Sequence, residues 1–162
     1  NRNITVTDTI GYAKLKMLHA FNMTIPGIPI IYYGDEIGMP GANDPDNRRM
    51  MRFDNLTSFE TDVKNTVTKL TNLRSTHMAL LYGDFEVLEV SETVYVYKRT
   101  YQDDVVIVAF NKSPEIKTII VKDSGSKNPD KAQFGNGIST NDNTIAVFLA
   151  PYSFEVITMY NK

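Results

Sequence analysis

Two periodicities divide the chain. Up to about residue 80 apolar residues recur at helical spacing, and from Tyr82 onward they alternate at every second position. Between Asp8 and Met23, the residues Ile10, Ala13, Met17 and Phe21 fall on one helical face, which Leu15 and Leu18 widen. Thr7 or Asp8 can cap the first free amides, and Pro26-Gly27 stops the helix. The run Ile28–Tyr33 is apolar on both faces, which predicts a strand inside a parallel sheet, with Pro29 near its start where a missing donor is tolerated. Thr57 and Glu60 have capping-box spacing, and Val63, Val67, Leu70 and Leu73 follow as one buried stripe of a second helix running to about His77.

The second half reads FEVLEV, TVYVYKRTY, DVVIVAFN, EIKTIIV, NTIAVFLA and SFEVITMY, short β-branched and aromatic segments divided by turn residues. Six or seven antiparallel strands of this kind predict a sandwich. Gln102-Asp103-Asp104 predicts a hairpin connection, and Pro151 breaks another pair. The polar residues 122–143 predict a loop with room for one short strand. One parallel-type strand between two amphipathic helices cannot bury itself, so residues 1–80 predict the end of a larger α/β domain. The opening NRNITVTDTIGYAKL has neither an initiator Met nor a signal-like apolar region, as expected of a mature chain or of a segment of a longer protein. Uncovered Ile28, Ile30, Ile31 and helix faces predict self-association of such a segment on its own, or disorder of residues 1–80.

Composition narrows the function classes. Apolar residues at 42 % and charged residues at 22 % describe a globular chain. Lys+Arg number 17 against 19 Asp+Glu, and the densest basic group, Arg48, Arg49 and Arg52, lies beside Asp44, Asp46 and Asp54. That is no footprint for nucleic acid, which needs a clustered positive face. The absence of cysteine excludes disulfides and thiolate metal sites, and no apolar run approaches the ~18 residues of a membrane-spanning helix.

The segment PGIPIIYYGDEIGMPGANDPDNRRMMRF resembles the eighth barrel strand and following loop of α-amylase-family glycoside hydrolases, nearest the neopullulanase and cyclomaltodextrinase group. The order of the parts agrees, with an LRSTHMALLYGDF tail after the last helix and a PYSFEVI strand near the end. The resemblance implies an α+β chain: a terminal βα segment of a (β/α)₈ barrel in residues 1–80, then an all-β antiparallel sandwich in residues 81–162. A whole barrel takes about 250 residues. The resemblance further implies a parent enzyme that hydrolyses α-glucans (starch, pullulan, malto-oligosaccharides) with retention, using two carboxyl groups roughly 5 Å apart. No position here matches the family's catalytic Asp, Glu and Asp, so this chain alone is expected to be inactive. What carries over is Asp44 and Arg48, in the family's D-P-x-x-R pattern, as binders of sugar on the donor side of the cut. The resemblance leaves calcium to the rest of the parent protein, gives this chain no cofactor, and fits a periplasmic or secreted setting.

Each candidate has a plainer reading. Asp44 and Arg48 could form a loop ion pair that only shapes the turn. Asp35 and Glu36, as neighbours on a strand, point to opposite faces and cannot flank one bond, so one reads as a cap or hydrogen-bond partner of the loop and the other as a contact to a neighbouring strand. His19 and His77 lie on helices without metal-spaced partners and read as structural. Asn43, Asp44, Asp46 and Asn47 cluster oxygens, yet lack the turn Gly and closing Glu of a calcium-binding loop. The aromatics Tyr95, Tyr97, Tyr101, Phe110, Phe148, Tyr152, Phe154 and Tyr160 read as core and cross-strand pairs, or else as a sugar-stacking platform. The rival accounts are therefore a non-catalytic carbohydrate-binding sandwich and a catalytically dead amylase-like protein.

Overall fold

The computed structural model describes residues 6, 8–122, 127–141 and 144–161, the last two and residues 127 and 128 by backbone alone. The capping candidate Thr7 and the ring of Tyr160 lie outside the described residues.

Helix α1 spans Thr9–Thr24 and starts at Asp8, whose Oδ1 accepts from the Ile10 amide at 2.9 Å. Helix α2 spans Ser58–Thr76 and opens with the expected capping box: Thr57 Oγ1 accepts from the Glu60 amide, and Glu60 Oε2 accepts from the Thr57 amide at 2.7 Å. All four stripe residues, Val63, Val67, Leu70 and Leu73, are buried. A short helix α3, Met78–Tyr82, turns the chain into the strands.

These are β1 (Asp84–Val90), β2 (Val94–Tyr101), β3 (Asp104–Asn111), β4 (Lys117–Lys122), β5 (Lys127–Ala132), β6 (Gly137–Asn141), β7 (Thr144–Leu149) and β8 (Ser153–Asn161). They form a five-stranded sheet, β1-β2-β3-β8-β5, and a three-stranded sheet, β4-β7-β6, with antiparallel pairing throughout. Gln102 and Asp103 make the expected tight hairpin, with Gln102 at φ +50°.

The molecule has three layers. Between the sheets lie Val94, Val96, Val105, Ile107, Ala109, Ile157 and Met159, facing Ile119, Val121, Ile145, Val147 and Leu149. On the other face of the larger sheet, Tyr97, Val106, Val108, Phe110, Phe154 and Val156 pack against Met17, Ala20, Met23, Leu70 and Leu73 of the helices. The central strand β3 is apolar without alternation because both its faces are covered.

Two buried arginines join the helical layer to the sheet. The Arg74 guanidinium donates to the carbonyls of Met23 (2.7 Å), Ile25 (3.2 Å) and Gly27 (2.5 Å). That of Arg99 donates to Thr24 (2.7 Å), Gly83 (2.9 Å) and Asp84 (3.2 Å). Together they supply donors and positive charge at the C-terminus of α1, where carbonyls lack helical partners and the dipole is negative. Desolvation lowers the pKa of both guanidinium groups. Tyr97 completes the join through a 2.5 Å hydrogen bond between its hydroxyl and Thr24 Oγ1, and burial pushes its phenol above the usual range.

Two expectations require correction. Ile28–Tyr33 forms no strand: the described residues contain no parallel neighbour to complete a ladder, and Ile28 and Ile30 are 92 % and 80 % exposed. In the same region the apolar stripe of α1 is half covered: Met17, Ala20 and Met23 are buried, Ile10 and Leu18 are exposed, and Phe21, partly exposed, sets its ring against Tyr95 and Phe110 of the larger sheet. The polar stretch 122–143 holds two strands, β5 and β6, because β8 and β7 offer them free edges. Residues 123–126 and 142–143 of that stretch lie outside the described residues.

Candidate functional site

Residues 34–57 form the loop between Ile28–Tyr33 and α2. Gly34 (φ +93°) and Gly38 (φ +67°) flank a 3₁₀ turn, Asp35–Ile37, in conformations a Cβ disfavours; one at Gly38 would also sit 2.8 Å from the Tyr12 ring. The Asp35-Glu36 pair is therefore on a turn and not on a strand. Glu36 Oε2 accepts from the Gly34 amide at 2.7 Å, and the backbone carbonyl of Asp35 contacts Nε2 of buried His19 at 3.0 Å. His77 caps the end of α2 and bonds Asp104 Oδ1 through Nδ1 at 2.8 Å, while Asp104 Oδ2 accepts from the Ala79 amide. Both histidines thus have structural partners.

A second 3₁₀ turn, Asp46–Arg48, carries Arg48, and Asp44 lies just before it. Asp44 and Arg48 are brought together: Nη2 lies 2.5 Å from Oδ1 and 2.7 Å from Oδ2. Their side chains are 63 % and 62 % exposed, so the pair stands in solvent with both groups open to further hydrogen bonds. Ion pairs this exposed contribute little to stability, about 0–1 kcal/mol.

Beneath it lies a second pair that the sequence reading did not single out. Arg49 donates Nε to Asp46 Oδ1 at 2.7 Å and Nη2 to Oδ2 at 2.8 Å, a two-pronged fork, and the Ala42 amide donates to the same Oδ2 at 2.9 Å. The Asp46 side chain is only 9 % exposed. The Tyr33 hydroxyl donates to the Arg49 carbonyl at 2.9 Å, tying the turn to the preceding segment. The i,i+3 spacing of Asp46 and Arg49 was a signal for this pair, but it competed with Asp44–Arg48 among closely spaced charges. Arg52 reaches back to Glu60 Oε1, linking the loop's far end to the start of α2.

These contacts shift two carboxyls. The Arg49 bond holds Asp46 below the usual carboxylate range, with the Ala42 amide adding to the effect against desolvation. Burial pushes Glu60 up, but its bonds with Thr57 and Arg52 outweigh that and leave it lowered. A carboxyl whose folded pKa lies below its unfolded value, about 4.3 for Glu, lends stability above that value and loses it as pH falls through the folded pKa. Melting temperature should therefore fall on acidification below about pH 4, and Glu60→Gln should flatten that fall. An unchanged acid slope in Glu60→Gln would remove this carboxyl from the account.

Among the described residues no group of three His, Asp or Glu side chains is arranged to hold a metal ion. Of the aromatics named as a platform, Tyr97, Phe110 and Phe154 are buried in the core, whereas Phe148 is 44 % exposed.

Two family profiles match the chain: alpha amylase, catalytic domain, over residues 1–104, and alpha-amylase C-terminal domain over residues 83–150. A cyclomaltodextrin glucanotransferase of Geobacillus stearothermophilus is 43 % identical over 102 residues, covering 62 % of this chain and 14 % of the relative. A cyclomaltodextrinase of Thermoanaerobacter pseudethanolicus is 36 % identical over 115 residues, 71 % of this chain and 20 % of the relative. Among solved structures, an Anoxybacillus α-amylase superposes with a TM-score of 0.82 at 29 % identity, over 93 % of this chain and 33 % of that one. The Geobacillus thermoleovorans α-amylase solved with acarbose gives 0.80 at 30 % identity, over 96 % and 34 %. The chain thus spans about a third or less of the length of each of these relatives.

Proposed function

We propose, since this chain belongs to the α-amylase family, that it is the C-terminal part of a retaining glycoside hydrolase acting on α-glucans such as starch, pullulan or malto-oligosaccharides. Residues 1–80 complete its catalytic barrel, and residues 81–162 form a stabilising sandwich docked on the barrel's last helices. Exposed Ile28, Ile30, Leu18 and Phe21 support this division, because a barrel would cover such side chains where solvent now meets them.

The observation that carries the reading is the open Asp44–Arg48 pair. A carboxylate accepts from sugar hydroxyls, and a guanidinium donates to a third oxygen. Held 2.5 Å apart, the two offer adjacent acceptor and donor edges to one glucose unit. Other charges of the loop are engaged within the protein, Asp46 with Arg49 and Glu60 with Arg52. In this reading Asp44 and Arg48 bind the donor-side glucan, and the reacting carboxylates belong to the preceding part of the barrel.

The test is kinetic. In the full-length enzyme, Asp44→Ala and Arg48→Ala should each lower kcat/KM on maltotriose roughly tenfold, the loss of about 1.4 kcal/mol expected for a charge-assisted hydrogen bond. The isolated chain should not turn the same substrate over. Wild-type kcat/KM in both variants, or turnover by the isolated chain, would overturn the proposal.

A further inference from the structure

We infer that Asp46 and Arg49 are positioning residues, which set the geometry of the Asp44–Arg48 pair without touching sugar; this rests on the proposed role of that pair. The turn Asp46–Arg48 is short: the Asp46 amide donates to the Asn43 carbonyl (2.9 Å) and the Arg48 amide to the Pro45 carbonyl (3.1 Å), and a single 3₁₀ turn alone sets little of how its side chains present. The fork adds side-chain order to that turn. Asp46 is nearly buried and accepts three hydrogen bonds, from Arg49 Nε, Arg49 Nη2 and the Ala42 amide. The first two close the turn on itself, and the third ties it to the chain entering the loop. On the other side, Tyr33 clamps the Arg49 carbonyl. The entry is also close-packed: a Cβ on Gly41 would lie 3.1 Å from Asn47 Cα.

Asp44 and Arg48 alternate in sequence with this brace. Asp46 lies between them, and Arg49 follows Arg48 directly, so any rotation of the turn that broke the fork would carry Arg48 away from Asp44. An exposed pair recovers little energy from its own contact, and holding two long side chains in one geometry costs entropy. The inner pair can hold the turn because it is largely shielded from solvent and two-pronged. Preorganisation of this kind acts on sugar binding: a loop already shaped for its ligand does not have to be ordered when the ligand arrives.

A double-mutant cycle in the full-length enzyme, with maltotriose as substrate, tests this. Asp46→Asn removes the charge but keeps the size; Arg49→Lys keeps the charge but loses the fork. Both should raise KM roughly three- to tenfold with kcat changed less than twofold, as expected when binding and not chemistry is disturbed. In an Asp44→Ala/Arg48→Ala background, Asp46→Asn should have no further effect, because both groups it positions are gone. Multiplicative effects of Asp46→Asn and of truncating the Asp44–Arg48 pair would overturn the positioning role, as would a wild-type KM in both single variants while Asp44→Ala still lowers kcat/KM. If Asp44→Ala is itself silent, the sugar-binding role of Asp44 fails, and the positioning role that depends on it falls with it. A circular-dichroism melt of each variant separates lost fold from lost positioning; should Asp46→Asn prove unfolded, Arg49→Lys carries the cycle alone.

Discussion

Replacing Arg99 with Ala should cost about 3 kcal/mol or more in equilibrium unfolding by urea, enough to move the midpoint by about 1 M or more for a slope of about 1–3 kcal/mol/M. Arg99 is 1 % exposed, so its charge has left water and relies on carbonyls for compensation. Those carbonyls come from three places in the chain: Thr24 at the end of α1, and Gly83 and Asp84 at the α3–β1 junction. The guanidinium fork therefore fastens the helical layer to the first hairpin, and Ala would leave the acceptors facing a cavity without a donor. Lys carries the same charge with a single donor head and should recover only part of the loss. A midpoint within 0.3 M of wild type for Arg99→Ala would mean that water replaces the side chain and that the layers are held by apolar packing alone.

Glu155→Leu should be of similar size. Glu155 is completely buried on β8, and its carboxylate accepts from the amides of Phe134 (2.7 Å), Asn136 (2.9 Å) and Val156 (2.9 Å), and from Asn136 Nδ2 (3.0 Å). Phe134 and Asn136 lie in the link where the chain leaves β5 in one sheet for β6 in the other. Leu fits the volume but strands those amides at about 1–3 kcal/mol each, so a total near 3 kcal/mol is expected. Glu155→Gln keeps one acceptor oxygen and should lose less. The same urea experiment reads both variants, and a Leu variant as stable as wild type would show that the link is held from elsewhere.

These two residues also mark what strand alternation alone leaves open. Strict alternation in a strand is normally read as one face in the core and one in water. In β2 the polar-looking positions Tyr95, Tyr97 and Arg99 face the helical layer instead, and in β8 Glu155 faces the link between the sheets. The presence of strands was legible because β-branched residues and turn signals coincide; the wetness of their faces was not, since it depends on a third layer far away in sequence. Helix α2 was legible nearly to the residue, because the Thr57–Glu60 box and the Val63–Leu73 stripe act within a few turns. Ile28–Tyr33 failed as a strand for the opposite reason: its apolar pattern describes neighbours, and the described residues supply none. At the candidate site, Asp44 and Arg48 were reached through a family pattern and not through local chemistry. The Asp46–Arg49 fork was hidden among adjacent charges, since spacing alone does not say which carboxylate a guanidinium will choose.

The most direct measurement of the central claim is a crystal structure of the full-length enzyme with maltotriose bound across the cleavage site. The account predicts sugar hydroxyls within hydrogen-bond distance, about 2.7–3.2 Å, of both the Asp44 carboxylate and the Arg48 guanidinium on the donor side. A bound oligosaccharide that leaves both side chains untouched, with the Asp44–Arg48 pair intact and facing solvent, would contradict it.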